Sequence, residues 1–237
     1  MERAETFLRG FERVVVVAPH PDDDVLGCGG TLAAAALLGL ATAAVYVTDG
    51  AASHLGSPSY PPDRLRAVRE REAREALDVL GVAGEPRFLR VPDGTTAQLD
   101  DRAAEGVVSA IAGAAGDGRV LVLGPWQRDH HTDHVAVARL VRRACALRPN
   151  ATLLEYAIWL DERGTAADRP AAEDGAPLAL DVTAHAEAKA AALARHRSQL
   201  GTLIGDARET FALPPGVLAA AARPAERFVR VVLPLAR

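Results

Sequence analysis

One short segment near the start of the chain places a histidine and three acidic residues within six positions. It runs from Pro19 to Asp24 in the order Pro-His-Pro-Asp-Asp-Asp. Three carboxylates this close repel one another, which costs free energy unless a cation gathers them. The two prolines lack an N–H and restrict φ, so they hold the segment outside helix and strand. We therefore predict that this segment forms half of a metal site.

A second segment with histidines and carboxylates lies in the middle of the chain, at residues 124–134. It reads Gly-Pro-Trp-Gln-Arg-Asp-His-His-Thr-Asp-His. The His-x-x-His pair of His131 and His134 places two imidazoles on one side of a helix start. The pair of His130 and His134 also suits one helix face, and spacing alone leaves both pairs open. Imidazoles are common metal ligands, so this segment is predicted to be the other half of the site.

Each of these two segments follows a short apolar strand and precedes a helix. Val14 to Val17 form a run typical of a central parallel strand buried on both faces, and Val120 to Leu123 form a similar run. Open α/β sheets bind their ligands outside the carboxyl ends of the strands. The two segments are therefore expected at the same edge of one sheet, where they can form a single site.

Predicted strands and helices alternate along the rest of the chain. Further strands are expected at 43–47, 87–91, 152–159, 178–182 and 227–233, and helices at 26–38, 64–80, 99–114, 135–147 and 184–200. This alternation predicts an α/β fold, namely a Rossmann-like, doubly wound, mostly parallel sheet in a single domain over residues 1–237. The loops 51–62 and 161–177 are expected to determine specificity.

The two metal motifs resemble those of a known enzyme family. The PHPDD of residues 19–23, the Gly-x-Gly-Gly of residues 27–30 and the His-x-Asp-His of residues 131–134 look like the PIG-L/LmbE-type zinc-dependent N-acetylglucosaminyl deacetylases. The match covers residues 14 to about 145 well, with metal motifs at 19–30 and 125–134. It covers the remainder more loosely, so residues from about 151 to 237 are expected to be a variable C-terminal part.

The resemblance implies a metal site with three protein ligands. His20, Asp23 and His134 would hold Zn²⁺ and leave an open position for water, as catalytic zinc sites do. Fe²⁺ or another divalent metal in its place would suit the same ligand types. The alternative to a metal site is a surface loop whose carboxylates cap the following helix. Capping explains neither His20 nor the His-x-x-His pair.

The resemblance also implies roles for three neighbouring residues. Asp22 is expected to be the general base that takes a proton from water as it attacks an amide carbonyl. His131 is expected to be the other acid/base group, stabilising the oxyanion and protonating the leaving amine. Asp133 is expected to orient His131 through a ring nitrogen.

Two further residues are expected to bind the substrate. Arg69 matches an arginine of the family that faces the substrate, where a guanidinium can hold a hydroxyl, phosphate or carboxylate. Asp49 follows the strand 43–47 and puts another carboxylate at a strand end. The chain departs from the family at Asp24, where Glu is common, and at His130, where Gly is common. Neither departure removes a ligand, although the shorter Asp24 side chain can alter substrate fit.

The function indicated by the motifs is a metal-dependent hydrolase that removes an N-acetyl or other N-acyl group from an amino sugar of a small glycoside or glycosylated natural product. A metal-dependent amidase acting on another N-acyl conjugate is the first alternative. A non-haem iron oxygenase also uses two histidines and a carboxylate, but the parallel α/β pattern speaks against it. A Rossmann nucleotide site is disfavoured because Leu32 replaces the last glycine of Gly-x-Gly-x-x-Gly.

Composition limits the partners and the compartment. A net charge of −4 over 237 residues argues against nucleic acid or an anionic membrane as the main partner. Two cysteines form no disulfide framework, which favours a cytoplasmic protein. The uncharged stretch 25–48 is long enough to span a bilayer, but its glycines and alanines predict a helix and a strand instead. We expect a small-molecule partner and no membrane insertion, and a homo-oligomer stays open.

Overall fold

The computed structural model describes residues 1–233, so the end of the expected domain, 234–237, lies outside the described residues. These residues contain a sheet of eight strands. The strands are β1 Glu2–Arg3, β2 Arg13–Ala18, β3 Ala41–Thr48, β4 Arg87–Val91, β5 Val120–Pro125, β6 Ala151–Tyr156, β7 Ala176–Asp181 and β8 Ala225–Val231. The helices are α1 Ala4–Leu8, α2 Asp23–Leu37, α3 Pro62–Val79, α4 Asp101–Ala115, α5 Thr132–Ala146, α6 Leu160–Arg163, α7 Ala186–Leu193 and α8 Pro215–Ala221.

The strand order across the sheet is β1-β7-β8-β6-β5-β2-β3-β4. The strands from β6 to β4 are all parallel, whereas β8 runs antiparallel to both β6 and β7. From β2 the chain proceeds to β3 and β4 on one side, and later from β5 to β6 on the other. The α/β fold with a mostly parallel, doubly wound sheet is therefore confirmed. Its switch point lies between β2 and β5, where such sheets bind ligands.

The valines of β2 explain why this strand is central. Val14 and Val16 face the apolar cluster that includes α1, α2 and α8, whereas Val15 and Val17 face the cluster formed with α4 and α5. All four side chains are fully buried. A strand buried on both faces requires apolar residues at every position, which accounts for the unbroken valine run.

The chain bends where one long helix was expected over residues 184–200. Helix α7 ends at Leu193 and a 3₁₀ turn follows at Arg197–Gln199. The turn brings the Ser198 backbone N–H to Glu72 Oε1 of α3 at 3.0 Å, and the Ser198 hydroxyl also donates to this carboxylate. The helix is therefore shorter than its pattern because a tertiary contact draws the chain toward α3.

The uncharged stretch 25–48 divides as expected into α2 and β3. Within residues 1–233, none of the helices combines the length and the apolar character that crossing a membrane requires.

Candidate metal centre

The two histidine segments meet at the edge of the sheet because β2 and β5 are parallel neighbours. The ring centroid of His20 lies 4.8 Å from that of His131 and 5.4 Å from that of His134. One nitrogen of each ring lies within 4.8 Å of the others. The expectation that the two strand-end loops form one site therefore agrees with the geometry.

Asp23 lies between the two histidines that were expected to share a metal with it. Its Oδ2 is 3.2 Å from His20 Nδ1 and 3.2 Å from His134 Nε2. It also accepts the His20 backbone N–H at 2.9 Å, which fixes the carboxylate at the start of α2. All three side chains are buried.

The side chains of His20, Asp23 and His134 are suited to binding a divalent cation. Within the described chain, His134 Nε2 is buried and has no hydrogen-bond partner, although a carboxylate oxygen stands 3.2 Å away. A buried nitrogen in this state is costly unless something else satisfies it. Two imidazoles and one carboxylate are ligands that Zn²⁺ and Fe²⁺ both accept.

The second ring nitrogen of His134 is held by Asp129, which the sequence analysis did not single out. His134 Nδ1 lies 2.7 Å from Asp129 Oδ2, and this carboxylate also accepts the backbone N–H groups of Ile158 and Trp159 at 3.0 and 2.9 Å. With Asp129 as the acceptor, Nδ1 carries a proton, and Nε2 is the nitrogen that would face a cation. A carboxylate behind a ligating histidine is the usual way in which proteins fix its tautomer.

One ring nitrogen of His20 likewise contacts carboxylates. Its Nε2 lies 3.1 Å from Asp93 Oδ1 and 3.2 Å from Asp133 Oδ2. These two carboxylates and His20 form an alternative group of ligand atoms within 4.8 Å. However, Asp133 already accepts the backbone N–H groups of Gly94 and Thr96 at 2.8 and 3.1 Å, whereas His20 Nδ1 lies beside the Asp23 Oδ2 atom that also faces His134 Nε2. The Nδ1 side of His20 is therefore the candidate metal position that fits the expected ligands.

Asp133 does not orient His131 through its carboxylate as expected, because that carboxylate faces His20, Gly94 and Thr96. Instead, its backbone N–H donates to His131 Nδ1 at 3.2 Å, since His131 caps the first turn of α5. Because Nδ1 is the acceptor here, the proton of the neutral ring is assigned to Nε2. His131 is half-buried, and burial, aided by the neighbouring His20 and His134, lowers its pKa to about 4.

Asp22 stands beside the ligand set and not inside it. Burial raises its pKa to about 6; the charge of Arg69 opposes this rise and that of Asp23 adds to it. Its Oδ1 lies 3.1 Å from Arg69 Nη2. A carboxyl group with a pKa moved toward neutrality can both accept and return a proton near neutral pH.

The two expected substrate-binding residues have contacts within the protein. Arg69 is only 2% exposed, and it donates to the Gly50 and Pro21 carbonyl oxygens at 2.9 and 3.2 Å. Asp49 is half-buried and its Oδ1 accepts the backbone N–H groups of Ala51 and Asp93 at 3.0 and 3.1 Å. Asp49 therefore joins the loops after β3 and β4, and so brings Asp93 to the site.

The loop 51–62 is fastened to the C-terminal part of the chain. Asp206 accepts the Ser59 backbone N–H at 3.0 Å and the Ser57 hydroxyl, and the Leu55 carbonyl accepts the Arg208 N–H at 3.0 Å. His196 is fully buried.

A separate cavity of about 470 Å³ is not lined by the expected ligands. It lies between Trp126, Ile158, Val217 and Phe228. Its walls are mostly apolar, and its buried Lys189 and Glu226 are paired at 2.7 Å. The site proposed here rests on the polar cluster at the switch point instead.

Comparison with known proteins agrees with this geometry. The family model described as GlcNAc-PI de-N-acetylase matches residues 15–145. The chain is 31% identical over 271 residues to a 1D-myo-inositol 2-acetamido-2-deoxy-alpha-D-glucopyranoside deacetylase of Nakamurella multipartita, covering 93% of this chain and 89% of that protein. A protein of the same name from Kineococcus radiotolerans is 36% identical over 86 residues, which is 35% of this chain and only 24% of that protein. The solved structure of the A40926 pseudoaglycone deacetylase Dbv21 is 25% identical, with a TM-score of 0.69 over 95% of this chain and 99% of that one.

Proposed function

The chain belongs to the GlcNAc-PI de-N-acetylase (PIG-L) family, and from that premise we propose that it hydrolyses the N-acetyl group of an amino sugar in a small glycoside. The family resemblance noted in the sequence is thereby confirmed. The enzyme is an N-deacetylase, that is, a hydrolase acting on an amide bond. Its reaction requires a divalent cation, with Zn²⁺ as the first candidate, held by His20, Asp23 and His134.

The observation that carries this proposal is the position of Asp22 and His131 beside the ligand set. Asp22 is adjacent in sequence to the ligand Asp23, and the His131 ring lies 4.8 and 5.1 Å from the rings of His20 and His134. A metal site that served structure alone would not need a further carboxyl group and imidazole beside its ligands. A site for amide hydrolysis needs both.

The chemistry divides between the cation and the chain. A bound divalent cation supplies a Lewis acid that polarises the amide carbonyl and acidifies water. Asp22 accepts one proton from the attacking water as the new C–O bond forms. When the C–N bond breaks, Asp22 returns that proton to the leaving nitrogen, so that acetic acid and a free amine result. The second proton of the water remains on the acid, which ionises in solution to acetate while the amine takes up a proton.

His131 acts as a hydrogen-bond donor in this scheme. Its Nδ1 accepts the Asp133 backbone N–H, so the proton on Nε2 is available to the developing oxyanion. Burial lowers its pKa to about 4, which keeps the ring neutral at neutral pH. We therefore assign oxyanion stabilisation to His131 and both proton transfers to Asp22.

The substrate class follows from the relatives and is proposed at that level. A small N-acetylglucosaminide is the first candidate, and another N-acyl conjugate is the second. We also keep as proposals a cytoplasmic location, which fits two buried cysteines without a disulfide, and Asp49 as a substrate contact.

The function is tested by acetate release from a panel of N-acetylglucosaminides, including an inositol glycoside, with zinc-loaded enzyme. Asp22→Asn serves as the matched control, because it removes the base and keeps all three ligands. Release by the wild type alone supports the proposal. No release from any member, with zinc bound, would favour a different N-acyl amide, and the absence of zinc binding would contradict the mechanism.

A further inference from the structure

The cavity beside β8 is far larger than a packing defect. It measures about 470 Å³, whereas protein interiors hold few voids larger than a water molecule. Sites for small organic ligands usually measure about 300–1,000 Å³. Phe228 and Val217 of the main apolar cluster line the cavity, together with Trp126, Leu160 and Val229 of a smaller cluster. Its size and its walls therefore fit a small apolar ligand.

The three acidic side chains that line the cavity are each already in an ion pair. The pairs are Glu226 with Lys189 at 2.7 Å, Asp161 with Arg223 at 2.6 Å and Glu155 with Arg142 at 2.6 Å. A buried sugar ring would need a hydrogen-bond partner for each of its hydroxyl groups. Because these carboxylates are paired with cations and the rest of the wall is mostly apolar, the cavity suits an alkyl chain better than a sugar.

The cavity shares elements with the metal centre. Gly27, which lines the cavity, lies about one helical turn after Asp23 on α2. Ile158 lines it as well, and its backbone N–H donates to Asp129 Oδ2 at 3.0 Å, the same oxygen that contacts His134. The cavity and the proposed ligands are therefore neighbours at one edge of the sheet, as a substrate that occupies both would require.

The segment between α6 and β7 contributes a wall of the cavity and is fastened to the second histidine segment. Arg169 is one of its lining residues. The Trp126 indole N–H donates to the Asp168 carbonyl at 2.8 Å, and Arg128 Nη1 donates to Asp174 Oδ1 at 2.6 Å. These contacts join the wall of the cavity directly to the segment that carries proposed catalytic residues.

We propose that this cavity binds an alkyl chain carried by the substrate, so that the enzyme prefers amino sugars with an apolar substituent. The proposal rests on the proposed deacetylase function and narrows its substrate class. The chain belongs either to the aglycone or to the N-acyl group, because both are attached to the same sugar. In either place, burial of its methylene groups stabilises the complex.

Two substrate series distinguish these sources with zinc-loaded full-length enzyme. One lengthens the aglycone of an N-acetylglucosaminide from methyl to octyl, and the other lengthens the N-acyl group of methyl glucosaminide from acetyl to octanoyl. We expect kcat/KM to rise at least about tenfold along one series, because each fully buried methylene contributes up to about fourfold. The series that responds identifies the source of the chain. A flat response in both series would overturn the proposal.

A substitution that fills the cavity tests where the chain binds. Ala220→Phe adds a ring to the cavity wall from α8, and Ala219→Phe, at an exposed position of the same helix, is the matched control. Ala220→Phe should remove the gain from the longer chain and leave hydrolysis of the methyl N-acetylglucosaminide unchanged. Ala219→Phe should keep the gain. A full gain in Ala220→Phe would contradict the proposal.

Calorimetric binding of 1-octanol tests the cavity without turnover. Wild type and Ala219→Phe should bind it, and Ala220→Phe should bind it at least about tenfold more weakly. A wild type that binds octanol but hydrolyses no substrate would refute the proposed function, whereas the cavity would still bind alkyl chains. A wild type that hydrolyses the methyl compound but shows neither octanol binding nor a preference for long chains would refute the cavity proposal alone. Both substrate series use the wild type, so they decide the question even if Ala220→Phe does not fold.

Discussion

His134 and Asp129 are joined by a 2.7 Å contact between Nδ1 and Oδ2 at a place where both side chains are buried. This contact fixes which nitrogen of His134 is free to bind a cation. We predict that Asp129→Asn lowers zinc affinity about 10- to 100-fold, the usual effect of losing such a partner. Competition with a chromophoric chelator measures the change.

The matched control is Asp117→Asn, because the side chain of Asp117 is 97% exposed and pairs only with Arg148 at the surface. It should bind zinc like the wild type. Equal zinc affinity in Asp129→Asn would show that His134 needs no carboxylate behind it.

Asp22→Asn should retain zinc and lose most of its turnover. General base catalysis contributes about 10²–10⁴-fold, so kcat should fall by a factor in that range. Acetate release and zinc content are measured on the same preparation. Asp78→Asn, an exposed position on α3, is the control. A variant that loses zinc together with activity would place Asp22 among the ligands instead.

The sequence predicts the candidate ligands because their motifs are local. His20 and His134 each follow an apolar strand, and strand ends share one edge of a parallel sheet. The partners Asp129 and Asp93 also follow strands, yet their role depends on which loops touch across the edge. The direction of the Asp133 carboxylate depends likewise on the β4 loop. Local pattern contains no information about such contacts, and it does not reveal that β8 inserts between β6 and β7.

His196 should make stability depend on pH. Burial, with a further effect of the Arg69 charge, lowers its pKa from 6.5 to about 3. Below pH 6.5, His196 therefore binds a proton in the unfolded chain but stays neutral in the folded protein. The free energy of unfolding consequently falls as pH falls toward 3. The slope for one proton is about 1.4 kcal/mol per pH unit. His196→Gln should lose this contribution between pH 6.5 and 4.5.

Urea unfolding of the metal-free protein, with EDTA present, measures that slope. His130→Gln is the control, because His130 is exposed. A slope that is the same in His196→Gln and the wild type would mean that His196 is charged in the folded protein.

Gly27→Ala should destabilise the protein by overpacking. A Cβ at Gly27 would collide with the Tyr156 ring, whose Cγ would be 2.7 Å away. Overpacked cores lose about 1–3 kcal/mol, which thermal unfolding detects as a lower Tm. Gly106→Ala in α4 is the control, because no atom lies within 4 Å of its added methyl group. It should be neutral or stabilising, since alanine favours helix. Equal Tm values for the two variants would contradict the close approach of α2 to β6.

Glu226 of β8 accepts the backbone N–H groups of Gly30 and Thr31 within α2 at 2.7 and 2.9 Å, and it pairs with Lys189. Helix α2 begins at the proposed ligand Asp23, so Glu226, which is distant in sequence, secures the helix that carries it. A ribosome makes the ligands long before it makes Glu226. The nascent chain therefore passes through a stage at which all three proposed ligands have been made but α2, which carries one of them, is not yet anchored by Glu226.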